Sequence, residues 1–116
     1  MSEQVVIDAE LVRAWADLSG DHNRLHTDPE FAATTRYGRC IAHGPILASI
    51  VGELLATYAP RSAVAYRFVA PVYVPSTVTV SVTRHPAGAD VECVDQDGTT
   101  VLTARASWTS WTDGAP

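Results

Sequence analysis

Within LSGDHNRLHTDPEFA, residues 18–32, one turn-rich loop holds Asp21, His22, Asn23, Arg24, His26 and Asp28. Asp21 and His26 stand five residues apart, and in an extended loop a carboxylate and an imidazole at that spacing can converge on one water. They would then divide proton abstraction from proton return. Downstream, CIAHGPILASIVGELL, residues 40–55, brings His43 and Gly44 to the start of the most apolar helix of the chain. A helix start leaves N–H groups without intrahelical acceptors and carries the positive end of the helix dipole, so Gly44 can stabilise a developing oxyanion through its backbone. A side chain at that position would crowd whatever approaches the N–H. Each of these residues also has a plainer reading. Asp and Asn are common turn formers, His26 can be a hydrogen-bonded, half-buried histidine, His22 a solvated one, and Asp28 the cap of the turn that follows. His43 is read as structural, holding the loop that carries Asp21.

The elements that must position these residues are legible from periodicity. Asp8 can cap a helix through AELVRAWADL, in which Leu11, Trp15 and Leu18 fall on one face, and Ser19 and Gly20 stop it. A short strand at Val5 to Ile7 precedes it. Asp28 and Pro29 open a brief helical turn that Gly38 terminates. From His43 to Tyr58 the chain is apolar almost all round, so this helix is expected to be surrounded by protein. Pro45 suits its first turn and Pro60 ends it.

After residue 60 the period becomes two. The segments 63–74, 76–84, 89–94 and 99–110 read as strands, most plainly where Val78, Val80 and Val82 alternate with Thr77, Thr79 and Ser81. DQDG, residues 95–98, is a hairpin turn, HPAGAD a looser connection, and Pro71 marks a bulge or an edge within the first long strand. One apolar helix followed by an antiparallel meander predicts an α+β domain, a sheet wrapped around a helix.

The 116 residues are read as one domain, 1–116, with 47% hydrophobic and 18% charged residues and a net charge of -5. Eight basic residues, scattered, make no stripe for nucleic acid. The amino terminus lacks the pattern of a signal peptide and no apolar run reaches the length of a membrane span, so a cytoplasmic protein without membrane contact is expected. Cys40 and Cys93 have no zinc-like spacing and are read as two reduced buried thiols; no metal site is expected.

The run LSGDHNRLH followed by FAATTRYGRCIAHG closely resembles the MaoC-like, R-specific enoyl-thioester hydratase family, whose signature reads approximately SGD-x-N-P-[LIV]-H with IAHG downstream. The resemblance extends over nearly the whole chain, including FVAPVYV. It implies the hotdog fold, an antiparallel sheet gripping a long central helix, often with two such domains side by side. It also implies Asp21 and His26 as catalytic pair, with Asp21 activating water, and the Gly44 N–H as oxyanion donor. Ser19, Asn23 and His43 would support that pair, Asn23 by orienting it. The substrate would be an acyl thioester of coenzyme A or of an acyl carrier protein. No cofactor is required, because the thioester itself acidifies the neighbouring carbon.

Three residues are candidates for the substrate pocket. Arg24 replaces the family's usual Pro and puts a cation near the pair, either to meet a phosphate or carboxylate or simply as a solvated charge. Tyr37 lies between the two motif segments. Glu53, on the central helix, either faces the acyl tunnel or is solvated at an exposed end. Pro45 stands where many members have Met and offers no N–H, which increases the burden on Gly44. A single hotdog domain leaves sheet edges, so a homodimer is expected, with Trp108 and Trp111 as candidate contacts. The leading reading is a hydratase or dehydratase of enoyl and (R)-3-hydroxyacyl thioesters. Addition of an amine or hydroxyl to an enoyl thioester, a non-catalytic acyl-binding subunit and a thioesterase are the alternatives.

Overall fold

In the computed structural model, which describes residues 1–108, a five-stranded antiparallel sheet packs against one long helix. The elements run β1 (Ser2–Ile7), α1 (Ala9–Ser19), α2 (Arg24–Thr27), α3 (Pro29–Ala33), α4 (Gly44–Tyr58), β2 (Ala63–Phe68), β3 (Ser76–His85), β4 (Gly88–Val94) and β5 (Thr100–Ser107). The strand order is β1-β3-β4-β5-β2, which leaves β1 and β2 as the two edges. Together these elements form the hotdog fold.

Local chemistry accounts for most element ends. The Asp8 carboxylate accepts the Leu11 N–H at 2.9 Å and starts α1, which Gly20 closes at φ 79°, a backbone conformation that favours glycine. Alternation in β3 sends Val78, Val80 and Val82 into the core while Thr77, Thr79 and Ser81 stay half-buried on the other face. Against them lie Ile46, Leu47, Val51 and Leu55 of α4, each no more than 3% exposed. Cys93 is buried in the same core, and loss of hydration pushes its thiol up to about 11. Cys40 is also buried, and both cysteines are free thiols.

Several expectations are corrected. The first strand is six residues rather than three, because β1 zips along β3 from Ser2↔Ser81 to Ile7↔Ser76. The connection at HPAGAD is tight: His85 pairs with Gly88, and only Pro86 and Ala87 make the turn. The strand predicted through 63–74 ends at Phe68, and Pro71 lies beyond it. There the Val69 and Ala70 N–H groups both reach the Val101 carbonyl, at 3.0 and 3.3 Å. Segments 40–42 and 72–74 then meet through Ala42 N–H to Val72 O and Val74 N–H to Cys40 O. Finally, α4 is covered on one side only. Pro45, Ser49, Glu53, Ala56 and Thr57 are exposed, since the curved sheet of a single chain can wrap only one face of a cylinder. Trp108 packs partly buried against the core and its N–H reaches Ala87 O. Trp111 lies outside the described residues.

No helix among the described residues is long and apolar enough to cross a membrane.

Candidate active site

A chain of short-range hydrogen bonds shapes the 19–28 loop. The Ser19 hydroxyl accepts the Asp21 N–H at 3.2 Å, the Asp21 carboxylate accepts the Asn23 N–H at 3.2 Å, and the Asn23 side-chain oxygen accepts the Leu25 N–H at 3.0 Å. Asn23 thereby caps α2, the single turn that carries His26. Its contact with Asp21 runs through its backbone rather than its amide. Asp28 closes this turn and starts the next, its carboxylate accepting the Glu30 and Phe31 N–H groups at 3.1 and 3.2 Å. The Phe31 N–H and the Arg24 guanidinium hold the Asp28 carboxyl below its ordinary range.

Two histidines tie this loop to the start of α4. His26 Nδ1 lies 2.7 Å from the Ile41 carbonyl oxygen, and His43 Nε2 lies 3.0 Å from the Asp21 carbonyl oxygen. A carbonyl oxygen only accepts, so each of those nitrogens carries the hydrogen and donates it. In the neutral rings His26 is therefore left with a free lone pair on Nε2, and His43 with one on Nδ1. His26 Nε2 faces Asp21 Oδ2 at 3.9 Å, with His26 13% and Asp21 55% exposed at the side chain. A water at hydrogen-bond distance from both would sit to one side of the line joining them. The two imidazoles stack at 3.8 Å between centroids, 28° from parallel. His43 is 3% exposed, and its Nδ1 is buried without a hydrogen-bond partner. Asp21, His26 and His43 bring ligand atoms within 4.8 Å of one another.

His43 is also the residue before α4, and Gly44 is the first of the helix, exposed and followed by Pro45. Since Pro45 has no N–H, Gly44 supplies the donor at this end. Gly44 opens onto an apolar cleft of about 320 Å³ walled by Tyr37, Ile41, Leu47, Phe68 and Val72 among others. Tyr37 lines this cleft, with the Arg36 guanidinium over its ring and on its hydroxyl.

Arg24 and Glu53 are placed elsewhere. The Arg24 guanidinium donates to Asp28 Oδ2 through Nε and Nη2, at 3.2 and 3.0 Å, and lies over the Phe31 ring. Glu53 is exposed and borders a separate cleft of about 230 Å³ with Glu3, Val5 and Ile50. Phe68 is one of the cleft residues that sequence reasoning missed. It lay inside a run read only as strand, and nothing in the spacing said that its ring would reach Gly44.

The geometry can be set beside known proteins. The sequence profile of the MaoC like domain matches residues 2–105. An (R)-specific enoyl-CoA hydratase of Aeromonas caviae is 45% identical over 76 residues, 61% of this chain and 57% of that protein. The 3-hydroxyacyl-thioester dehydratase Z of Mycobacterium tuberculosis is 37% identical over 86 residues, 66% of this chain and 57% of that one. The matched region thus spans little more than half the length of these curated relatives. Among solved structures, the (R)-hydratase from A. caviae involved in PHA biosynthesis superposes with a TM-score of 0.71 at 36% identity, covering 91% of both chains. HtdX of M. tuberculosis gives 0.81 at 29% identity, covering 90% of this chain and 46% of that one. A profile match over nearly the whole chain, on a fold shared with such neighbours, leaves one conclusion: this chain belongs to the MaoC-like domain family.

Proposed function

We infer that the protein is an R-specific hydratase/dehydratase, a lyase that interconverts a trans-2-enoyl thioester and a (R)-3-hydroxyacyl thioester. The observation that carries this reading is the 3.9 Å gap between Asp21 Oδ2 and His26 Nε2, two acceptors facing one another beside an apolar cleft that begins at Gly44. The similar hydratase and dehydratases support it by name.

The residues suffice for the reaction. A water in the gap donates one hydrogen to the carboxylate and one to the imidazole, which leaves an oxygen lone pair for carbon 3 of the enoyl group. Asp21 takes the proton as the C–O bond forms, and His26 orients the water. Charge moves through the conjugated system to the thioester oxygen, where the Gly44 N–H and the start of α4 stabilise it. The proton then returns to carbon 2 from the pair, so that H and OH add across the double bond; elimination is the same path reversed. His43, by holding the Asp21 carbonyl, fixes the carboxylate over the gap. No step calls on an organic cofactor or a metal. The carrier of the acyl group is coenzyme A or an acyl carrier protein.

A homodimer completes this reading. The free edge β2 carries Tyr66 and Phe68, with Val69 just beyond, all at least 36% exposed. A second copy would cover them.

The test is loss of enoyl absorbance when purified protein meets crotonyl-coenzyme A. Asp21→Asn and His26→Ala are each expected to lower kcat by about 10²- to 10⁴-fold, the range for a positioned acid or base. Wild-type rates surviving in both variants would remove the pair from the mechanism.

A further inference from the structure

Phe68 combines two properties that rarely go together. It is 58% exposed, yet its ring atoms lie 3.2–3.6 Å from the position a Cβ on Gly44 would take. Part of that exposed surface is what a second copy would cover, but the ring itself is aimed at the start of α4. The same alternation brings Tyr66, two residues earlier, over the helix further along, its hydroxyl 2.8 Å from a Cβ position on Gly52. Edge strand β2 therefore lies along α4 with one aromatic over each glycine. The backbone behind Phe68 is anchored by the paired N–H groups of Val69 and Ala70 on the Val101 carbonyl. Position is fixed by the backbone, and the ring itself stands in the mouth of the cleft that Gly44 shares.

We propose that Phe68 is a specificity-determining residue, the wall beside the oxyanion donor that admits a flat enoyl thioester and excludes one substituted at carbon 2. The proposal rests on the reading of Gly44 as that donor. An oxygen accepting its N–H sits about 2.9 Å from the nitrogen, with the carbonyl carbon one bond further and carbon 2 the next. With the ring 3.2–3.6 Å from the Cβ position of the same residue, a thioester held at Gly44 has its reacting carbons within reach of the ring. A planar conjugated system can lie against it at van der Waals distance. A methyl on carbon 2 must compete with the ring for the same space. Apolar pockets discriminate a single carbon by about 10- to 200-fold.

The experiment compares kcat/KM for crotonyl-coenzyme A and 2-methylcrotonyl-coenzyme A in the wild type, Phe68→Leu and Phe68→Ala. The unbranched-to-branched ratio is expected to fall about tenfold or more in Phe68→Ala, through gain on the branched substrate, and by less in Phe68→Leu. A ratio unchanged within twofold, with both rates falling together in a protein of wild-type circular dichroism, overturns the proposal. If the wild type hydrates neither substrate, the hydration reading is what fails. Phe68 is then judged by calorimetric binding of butyryl- and 2-methylbutyryl-coenzyme A. A binding ratio that relaxes in Phe68→Ala upholds its role, while an unchanged ratio, or no binding of either, ends it.

Discussion

At the scale of single residues, charge near Asp21 and His26 is settled by local partners that sequence spacing does not display. Arg24 was the cation closest to Asp21 and His26, but four residues along a helical turn is the distance at which it meets Asp28, and there its fork closes. Asp28 in turn serves two helix ends. Its carboxyl sits below the ordinary value of 3.8, first because of the Phe31 N–H and then because of Arg24. A carboxyl lowered by folding lends stability that is present above its unfolded value and lost as pH falls through its folded one. Melting temperature is therefore expected to drop as the wild type is taken below about pH 4, and Asp28→Asn should show a shallower drop. Identical acid slopes in thermal melts of the two proteins would show that Asp28 adds nothing there. Asp21, His26 and Gly44 could be picked out as candidates because loop chemistry and helix-start chemistry each leave a residue pattern. His43 was expected to hold the loop that carries Asp21, and its ring does donate to Asp21 O; the bond from the His26 ring to the Ile41 carbonyl left no residue pattern, because any residue supplies a carbonyl.

Elements were legible where one physical demand ruled a whole segment. Strict alternation set β3, and the capping carboxylate of Asp8 set the start of α1. Where an element depended on a partner strand, sequence fell short: β1 is as long as its ladder with β3, and β2 ends where Val101 takes its last amides. The connection between β3 and β4 shows the same thing, since Gly88 was read as loop but is paired. A Cβ on Gly88 would run into the Ala106 backbone carbonyl, which only a shift of β5 relieves. Gly88→Ala is expected to cost about 2 kcal/mol or more, as overpacking against an unyielding neighbour does. Gly52→Ala should cost under about 1 kcal/mol, since it meets only the swinging end of Tyr66 and replaces glycine in a helix. Urea midpoints for the two variants check the order, and a larger loss at Gly52 would contradict it.

For the molecule as a whole, the exposed side of α4 and the free strand β2 belong together. The all-round apolar character of residues 43–58 predicted a buried helix, and a single chain buries half of it. Tyr66, Phe68 and Val69 show the same surplus at the sheet edge. Sedimentation is expected to give a dimer, and Val69→Glu, which puts a charge into that edge, should shift it toward monomer. A wild type that remains monomeric at tens of micromolar protein would leave this surface to some other partner.

The strand order also bears on how the chain assembles. Strands β3, β4 and β5 are neighbours both in sequence and in the sheet, so each can pair through a short loop. β1 pairs instead across the entire helical half, residue 2 with residue 81, and the entropy of closing a loop grows with its length. The meander is then expected to form first and β1 to be the clasp fastened last, an order that pulsed amide exchange would overturn if β1 gained protection as early as β3. Ile7, the final residue of that clasp, lines the same cleft as Gly44. A cleft closed by the last strand to arrive takes shape only when the whole chain has folded.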